Sequence, residues 1–199
     1  MTYLEKGHAN GMRRQGWRYP SAKWVESARR KAARESQLSP IIEGRVTSTD
    51  AAELREAAIL AHRRRLYVSS VRLHRAARAA DATAVAVLDR RTTYLAAQAA
   101  GLAAAGAGPE AAGLDEIQRR AMRDLAFGWL NEHLETWRKA AAEDGSWVPA
   151  RLRHVLTTRD LEGLRSPAAV LRLPEVERAR WRHLWREYDR LVDEIKKPG

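Results

Sequence analysis

The chain has 199 residues, no cysteine and a formal charge of +11, with a pI near 10.6. That length allows one ordinary domain with an extension or two small helical units. The missing cysteines exclude disulfides, thiolate metal sites and cysteine nucleophiles. The charge favours acidic partners such as nucleic acid, anionic lipid or an acidic protein face, although Arg outnumbers Lys 30 to 6, a bias that GC-rich coding also produces.

The excess charge is concentrated at one end. Residues 1–34 hold nine Lys/Arg against two Asp/Glu, a net +7, which leaves +4 for the rest. The opening MTYLEKGHANGMRRQGW has no apolar run of signal-peptide type, and no segment reaches the roughly 18 apolar residues that span a bilayer, so the sequence reads as cytoplasmic with no membrane partner. Residues 1–47 contain Gly7, Gly11, Gly16, Pro20, Pro40 and Gly44 and lack a sustained period; they read as a basic, partly disordered arm in which only 21–36 has helical spacing.

Within this arm, RRQGWRYPSAKW interleaves Arg13, Arg14, Arg18 and Lys23 with Trp17, Tyr19 and Trp24, and Arg29, Arg30, Lys31 and Arg34 follow. Cations that neutralise phosphate beside rings that stack on unpaired bases make this a candidate nucleic-acid-binding segment. The same residues would serve equally to dock an acidic protein groove. Arg63, Arg64 and Arg65 in HRRRLY form a second cationic candidate, against a plain solvated turn.

From Ser48-Thr49-Asp50 the texture changes: N-cap oxygens, Glu53 at capping-box spacing and a helical apolar period follow. The pattern predicts helices at about 50–63, 66–80, 84–105, 114–141, 148–158 and 174–197, with no period-two strand, hence an all-α protein. The organisation is an arm at 1–47, helical hairpins at 48–141 and a helical cap at 142–199. Leu54, Ala57, Ala58 and Ala61, then Ser70, His74 and Ala77, with Asp81-Ala82 closing, fit a tetratricopeptide-like hairpin and a short stacked solenoid. His74 and Ala82 depart from that template, and a generic Ala-rich hairpin matches almost as well.

Further along, Gly101 inside an alanine-rich helix costs about 1 kcal/mol relative to alanine and predicts close approach to a neighbour. The next helix puts Met122, Leu125, Ala126 and Trp129 on one face and Leu130, Leu134 and Trp137 on another, as suits a helix held between neighbours. The last helix carries Trp181, Leu184, Trp185, Tyr188, Leu191, Val192 and Ile195 on one stripe, a packing face. Glu175 is spaced to pair with Arg178, and Asp189 and Asp193 lie near Arg190.

Four segments, YLAAQAAGLAAAG, WLNEHLETW, DLEGLRSPAAVLRLP and WRHLW, stand in one order between about residues 54 and 195. Together they resemble the helical C-terminal region of planctomycete proteins in which a serine/threonine kinase domain and tetratricopeptide repeats precede it. The resemblance implies an all-α repeat fold and a role in protein association, with no catalytic residues in this region. Members usually have Asn and Cys where this chain has Leu95 and Gln98, so a polar link made by that Asn is absent. On this reading residues 160–174 form a joint: Asp160-Leu161 and Gly163-Leu164 end one helical unit, Arg165-Ser166-Pro167 turn the chain, and Leu171, Leu173 and Pro174 seat the last helix.

No motif for chemistry emerges. There is no Gly-rich phosphate loop, HRD-type loop, DFG triplet, Walker lysine, G-x-S-x-G or H-E-x-x-H. His8, His62, His74, His133, His154 and His183 lack ligand spacing, so no metal or cofactor is expected. The expectation is a non-enzymatic helical adaptor for an acidic protein partner. The alternative is a nucleic-acid-binding accessory subunit of a ribonucleoprotein or defence complex acting through the arm. A regulatory piece serving a kinase partner is a third reading.

Overall fold

The computed structural model describes residues 2–81, 90–144 and 148–196. Every regular element among them is helical: α1 Thr2–Met12, α2 Ser21–Ile42, α3 Ala51–Arg63, α4 Tyr67–Ala80, α5 Arg90–Ala104, α6 Glu116–Asp144, α7 Val148–Thr157, α8 Glu162–Arg165, α9 Pro167–Leu171 and α10 Glu175–Lys196. Short 3-10 turns at Pro109–Gly113 and Arg159–Leu161 complete the set. Ala82 and the residues expected to open the third body helix lie outside the described residues, as does part of the EDGSW loop. The chain divides into two compact units, Met1–Ser48 and Thr49–Gly199.

In the first unit, more of the segment is helical than 21–36. Helix α1 forms despite Gly7 and Gly11, and it packs on α2 through an Arg29–Glu5 ion pair of 2.9 Å and a His8 Nδ1 to Ser21 Oγ contact of 2.7 Å. Helix α2 runs through Pro40 in its last turn and ends in a Schellman motif, in which Gly44 N–H bonds Ile41 O and Arg45 N–H bonds Pro40 O.

In the second unit, the Asp50 carboxylate caps α3 by accepting from Ala52 N–H at 2.8 Å and Glu53 N–H at 3.4 Å. Leu54, Ala57, Ala58 and Ala61 of α3 and Ser70, His74 and Ala77 of α4 are all buried, and Ser70 Oγ donates to the Ala58 carbonyl across the pair at 2.9 Å. Small side chains let the two backbones approach closely enough for that bond. Helix α5 packs along both α4 and α6. The loop after α5 is fastened twice. The Arg119 guanidinium donates to the carbonyls of Leu114, Ala104 and Ala111, and the Glu110 carboxylate accepts from Ser69 N–H and Oγ at the start of α4.

The core runs through α5, α6 and α10, where Trp129, Leu130, Leu134 and Trp137 meet Trp181, Leu184, Tyr188 and Val192. A hydrogen-bonded chain crosses it. Trp137 N–H donates to His133 Nε2 at 2.8 Å, so that nitrogen is the imidazole's acceptor and Nδ1 carries its proton toward Tyr188 Oη at 2.9 Å; the Tyr188 hydroxyl donates to Leu130 O.

The 160–174 stretch is a joint with different seating from that expected. Leu161 and Leu164 are buried over Gly101, where a Cβ would come within 3.2 Å of each leucine, and Trp185 N–H donates to Leu164 O at 2.8 Å. Ser166 caps α9 with Pro167 in its first turn. Leu171, expected to seat α10, is instead 57% exposed, and Val170 takes the buried place. In a one-turn helix adjacent residues point about 100° apart, so burying Val170 turns Leu171 outward.

Candidate interaction surfaces

The first unit gathers the aromatic residues of the arm. Trp17 lies flat against the backbone of Gly11, where any Cβ would collide with the indole, and its N–H donates to Ser21 Oγ at 3.0 Å. Tyr19 stands edge-on to Trp17 with ring centroids 5.1 Å apart, and Trp24 lies 6.3 Å from Tyr19. Tyr19 is 64% and Trp24 49% exposed. Arg13, Arg14, Arg18, Lys23 and Lys31 are exposed and make no ion pair among the described residues, whereas Arg29 pairs with Glu5 and Arg30 with Glu26. The sequence singled out all of these residues. Their anchorage by Gly11 and Ser21 carried no sequence signal beyond the glycine itself.

In the second unit, Arg63 ends α3 and Arg64 and Arg65 form the turn toward α4, all three exposed. Arg65 has φ +62° and closes a Schellman motif, with Arg65 N–H bonded to His62 O and Leu66 N–H to Ala61 O. These arginines shape a helix end as well as charging it.

A groove that sequence reasoning missed lies along α9 and α10, with a volume of about 580 Å³. Pro167, Val170, Leu171, Ala179 and Trp185 contribute apolar surface to it, and Arg165, Arg182, Arg186 and Asp189 line it as well. Ala179, Arg182 and Arg186 at i, i+3 and i+7 share a helix face. That spacing was the signal available in the sequence. Arg165 is partly engaged, donating to Val155 O at 3.0 Å.

The interior also holds titratable groups. His74 is buried edge-on to Trp129, and burial, with the nearby His62 and Arg78 charges, lowers its pKa to about 4. Burial likewise lowers His62, against the opposing pull of Asp160. Tyr94 stacks on His133, and burial pushes its hydroxyl up to about 12. At neutral pH His74 and Tyr94 are therefore uncharged. Gln98 donates to Asp160 at 3.0 Å and ties α5 to the joint. Among the described residues no three His, Asp or Glu side chains come together as a metal site, and no helix is long and apolar enough to cross a membrane.

No family model, curated protein or solved structure matches this chain.

Proposed function

We propose that this chain is a non-enzymatic helical adaptor that binds a protein partner, its body a short tetratricopeptide-like stack and its basic N-terminal segment a second attachment. The observation that carries the reading is the groove along α9 and α10. Leu171 is exposed in it, and Arg182 and Arg186, which line it too, make no ion pairs of their own among the described residues. Such a surface suits an acidic, amphipathic polypeptide segment, whose apolar side chains cover Leu171 and whose carboxylates meet the two guanidiniums. The small-residue contact between α3 and α4 supports the repeat assignment, and the likeness to kinase-associated helical regions supports association as the role.

The test compares the intact chain with a Leu171→Asp/Arg182→Glu/Arg186→Glu variant. All three positions are exposed, so the variant keeps its fold. After nuclease treatment, the intact chain should retain a discrete acidic protein from its host that the variant loses. Identical retention by both, or retention of nucleic acid alone, would refute the reading.

A further inference from the structure

We infer that the first unit carries a binding site for single-stranded nucleic acid, built on Tyr19 and Trp24 and held in place by Trp17. The inference goes beyond the adaptor reading and does not rest on the α9–α10 groove.

Three observations converge on it. The first is exposure: two large rings lie next to one another at the surface, Tyr19 at 64% and Trp24 at 49% exposed, where apolar rings are ordinarily buried. The second is rigidity. Trp17 is pinned by the Gly11 backbone and the Ser21 hydroxyl, Ser21 in turn contacts His8 Nδ1, and Tyr19 packs edge-on to the pinned indole. A pre-positioned platform forfeits little side-chain entropy when a ligand stacks on it.

The third observation is charge. From residue 6 to residue 25 the sequence has no Asp or Glu, and Arg13, Arg14, Arg18 and Lys23 in that stretch make no ion pair among the described residues. The two acids that flank it are engaged elsewhere, Glu5 by Arg29 and Glu26 by Arg30. The cations of this stretch are thus unpaired among the described residues, whereas Arg29 and Arg30 farther along α2 each hold a carboxylate.

Free cations alone would serve any polyanion. Exposed rings among them discriminate, because a base offers a π-face to stack while its phosphate meets an arginine, and a carboxylate-rich polypeptide offers only the second contact. Pairing hides those faces within a duplex, so the unpaired strand is the form that fits. The shared chemistry covers RNA and DNA. The 2′-hydroxyl that separates them has no evident reader here, so the two should bind alike.

The experiment measures anisotropy of fluorescein-labelled 12-mers of uridine and of deoxythymidine against the full chain at two salt concentrations. A duplex of equal length and a labelled polyglutamate serve as comparisons. Both single strands should bind several-fold tighter than duplex or polyglutamate, with log affinity falling linearly in log salt. The Tyr19→Ala/Trp24→Ala variant should lose roughly tenfold or more, consistent with two lost stacking contacts, and Tyr19→Phe/Trp24→Phe should recover most of it. An Arg18→Gln/Lys23→Gln variant should lower the salt slope by about 0.7 for each phosphate contact removed. Polyglutamate binding as tightly as the oligonucleotides, duplex binding as tightly as single strands, or indifference to Tyr19→Ala/Trp24→Ala would overturn the site. The first of these results would assign the segment to an acidic protein instead.

Discussion

Arg123 on α6 and Glu177 in the first turn of α10 form a two-point ion pair, Nε to Oε2 at 2.7 Å and Nη2 to Oε1 at 3.1 Å, with both side chains almost closed to solvent. Glu116 accepts a further bond from the same guanidinium at 2.7 Å. Burial works to discharge Arg123, and the hydrogen bonds it donates to Glu177 and Glu116, with their negative charges, outweigh it, so its pKa rises. Removing one partner of a buried pair leaves a charge without compensation, which costs about 3–5 kcal/mol, whereas replacing both with apolar groups is often neutral. Glu177→Ala should therefore lower the unfolding free energy by about 3 kcal/mol, the lower end because Glu116 remains. Arg123→Met/Glu177→Leu should recover most of that. Urea denaturation of the three proteins checks both; a double variant no more stable than Glu177→Ala would mean that the pair itself, and not the orphaned charge, carries the energy.

Arg65 invites a gain in stability. The Schellman motifs ending α2 and α5 place Gly44 at φ +74° and Gly106 at φ +79°, and the same motif ending α3 places Arg65 at φ +62°. A side chain in the left-handed region costs roughly 1–2 kcal/mol, part of which glycine returns through the greater freedom of its unfolded chain. Arg65→Gly should stabilise by about 1 kcal/mol and raise Tm by about 2–4 °C. Gly106→Ala should do the reverse, since its Cβ would also press on Arg119 at 2.9 Å. Thermal melts of both variants decide it; a lower Tm for Arg65→Gly would show that the arginine side chain stabilises the turn by more than its backbone strain.

The body helices were legible because their signals are local: the Asp50 cap, the α10 stripe and the small-residue positions of α3 and α4 each depend on neighbours within a turn or two. Helix α1 was not, since Gly7 and Gly11 argue against it locally and its support, Glu5 to Arg29 and His8 to Ser21, comes from residues far along the chain. Arg123 and Glu177 are 54 residues apart among many arginines and glutamates, and nothing in their immediate sequence distinguishes them. The joint at 160–174 could be seen from its prolines and glycine. The choice between Val170 and Leu171 for the buried place could not, because both are apolar and only the direction of α9 separates them. Of the candidate sites, the arm's residues were visible by composition, while the α9–α10 groove needed two helices brought together.

Gly101 shows what an approach costs to disturb. Its missing side chain is replaced by Leu161 and Leu164, whose methyl carbons would stand 3.2 and 3.1 Å from an added Cβ. A single methyl meets flexible leucine ends and gains helix propensity, so Gly101→Ala should change stability by less than about 1 kcal/mol. Gly101→Val adds two more carbons into a filled space and should cost about 1–3 kcal/mol, with Trp185 fluorescence reporting displacement of the Leu164 carbonyl it bonds. Equal stability of the valine variant and the parent would mean that α5 and the joint do not touch as described.

His74 gives the body a defined response to acid. Its folded pKa is about 4 against an ordinary 6.5, because burial, and then the His62 and Arg78 charges, disfavour the imidazolium. Between those values the unfolded chain binds the proton and the folded one does not, so unfolding takes up a proton and stability rises with pH. The contribution is complete above about pH 6.5, falls as pH drops toward 4 and stops changing below that, a span of roughly 3 kcal/mol. His62, lowered by burial in the same sense, adds to the slope while Asp160 opposes it. His74→Phe keeps a ring edge-on to Trp129 and removes the titrating nitrogen, so its unfolding free energy should vary less between pH 4 and 6.5 than the parent's. Urea midpoints at half-unit pH steps measure this. A slope unchanged by the substitution would place the acid sensitivity on other groups, and His74 would then be a packing residue with no protonation role.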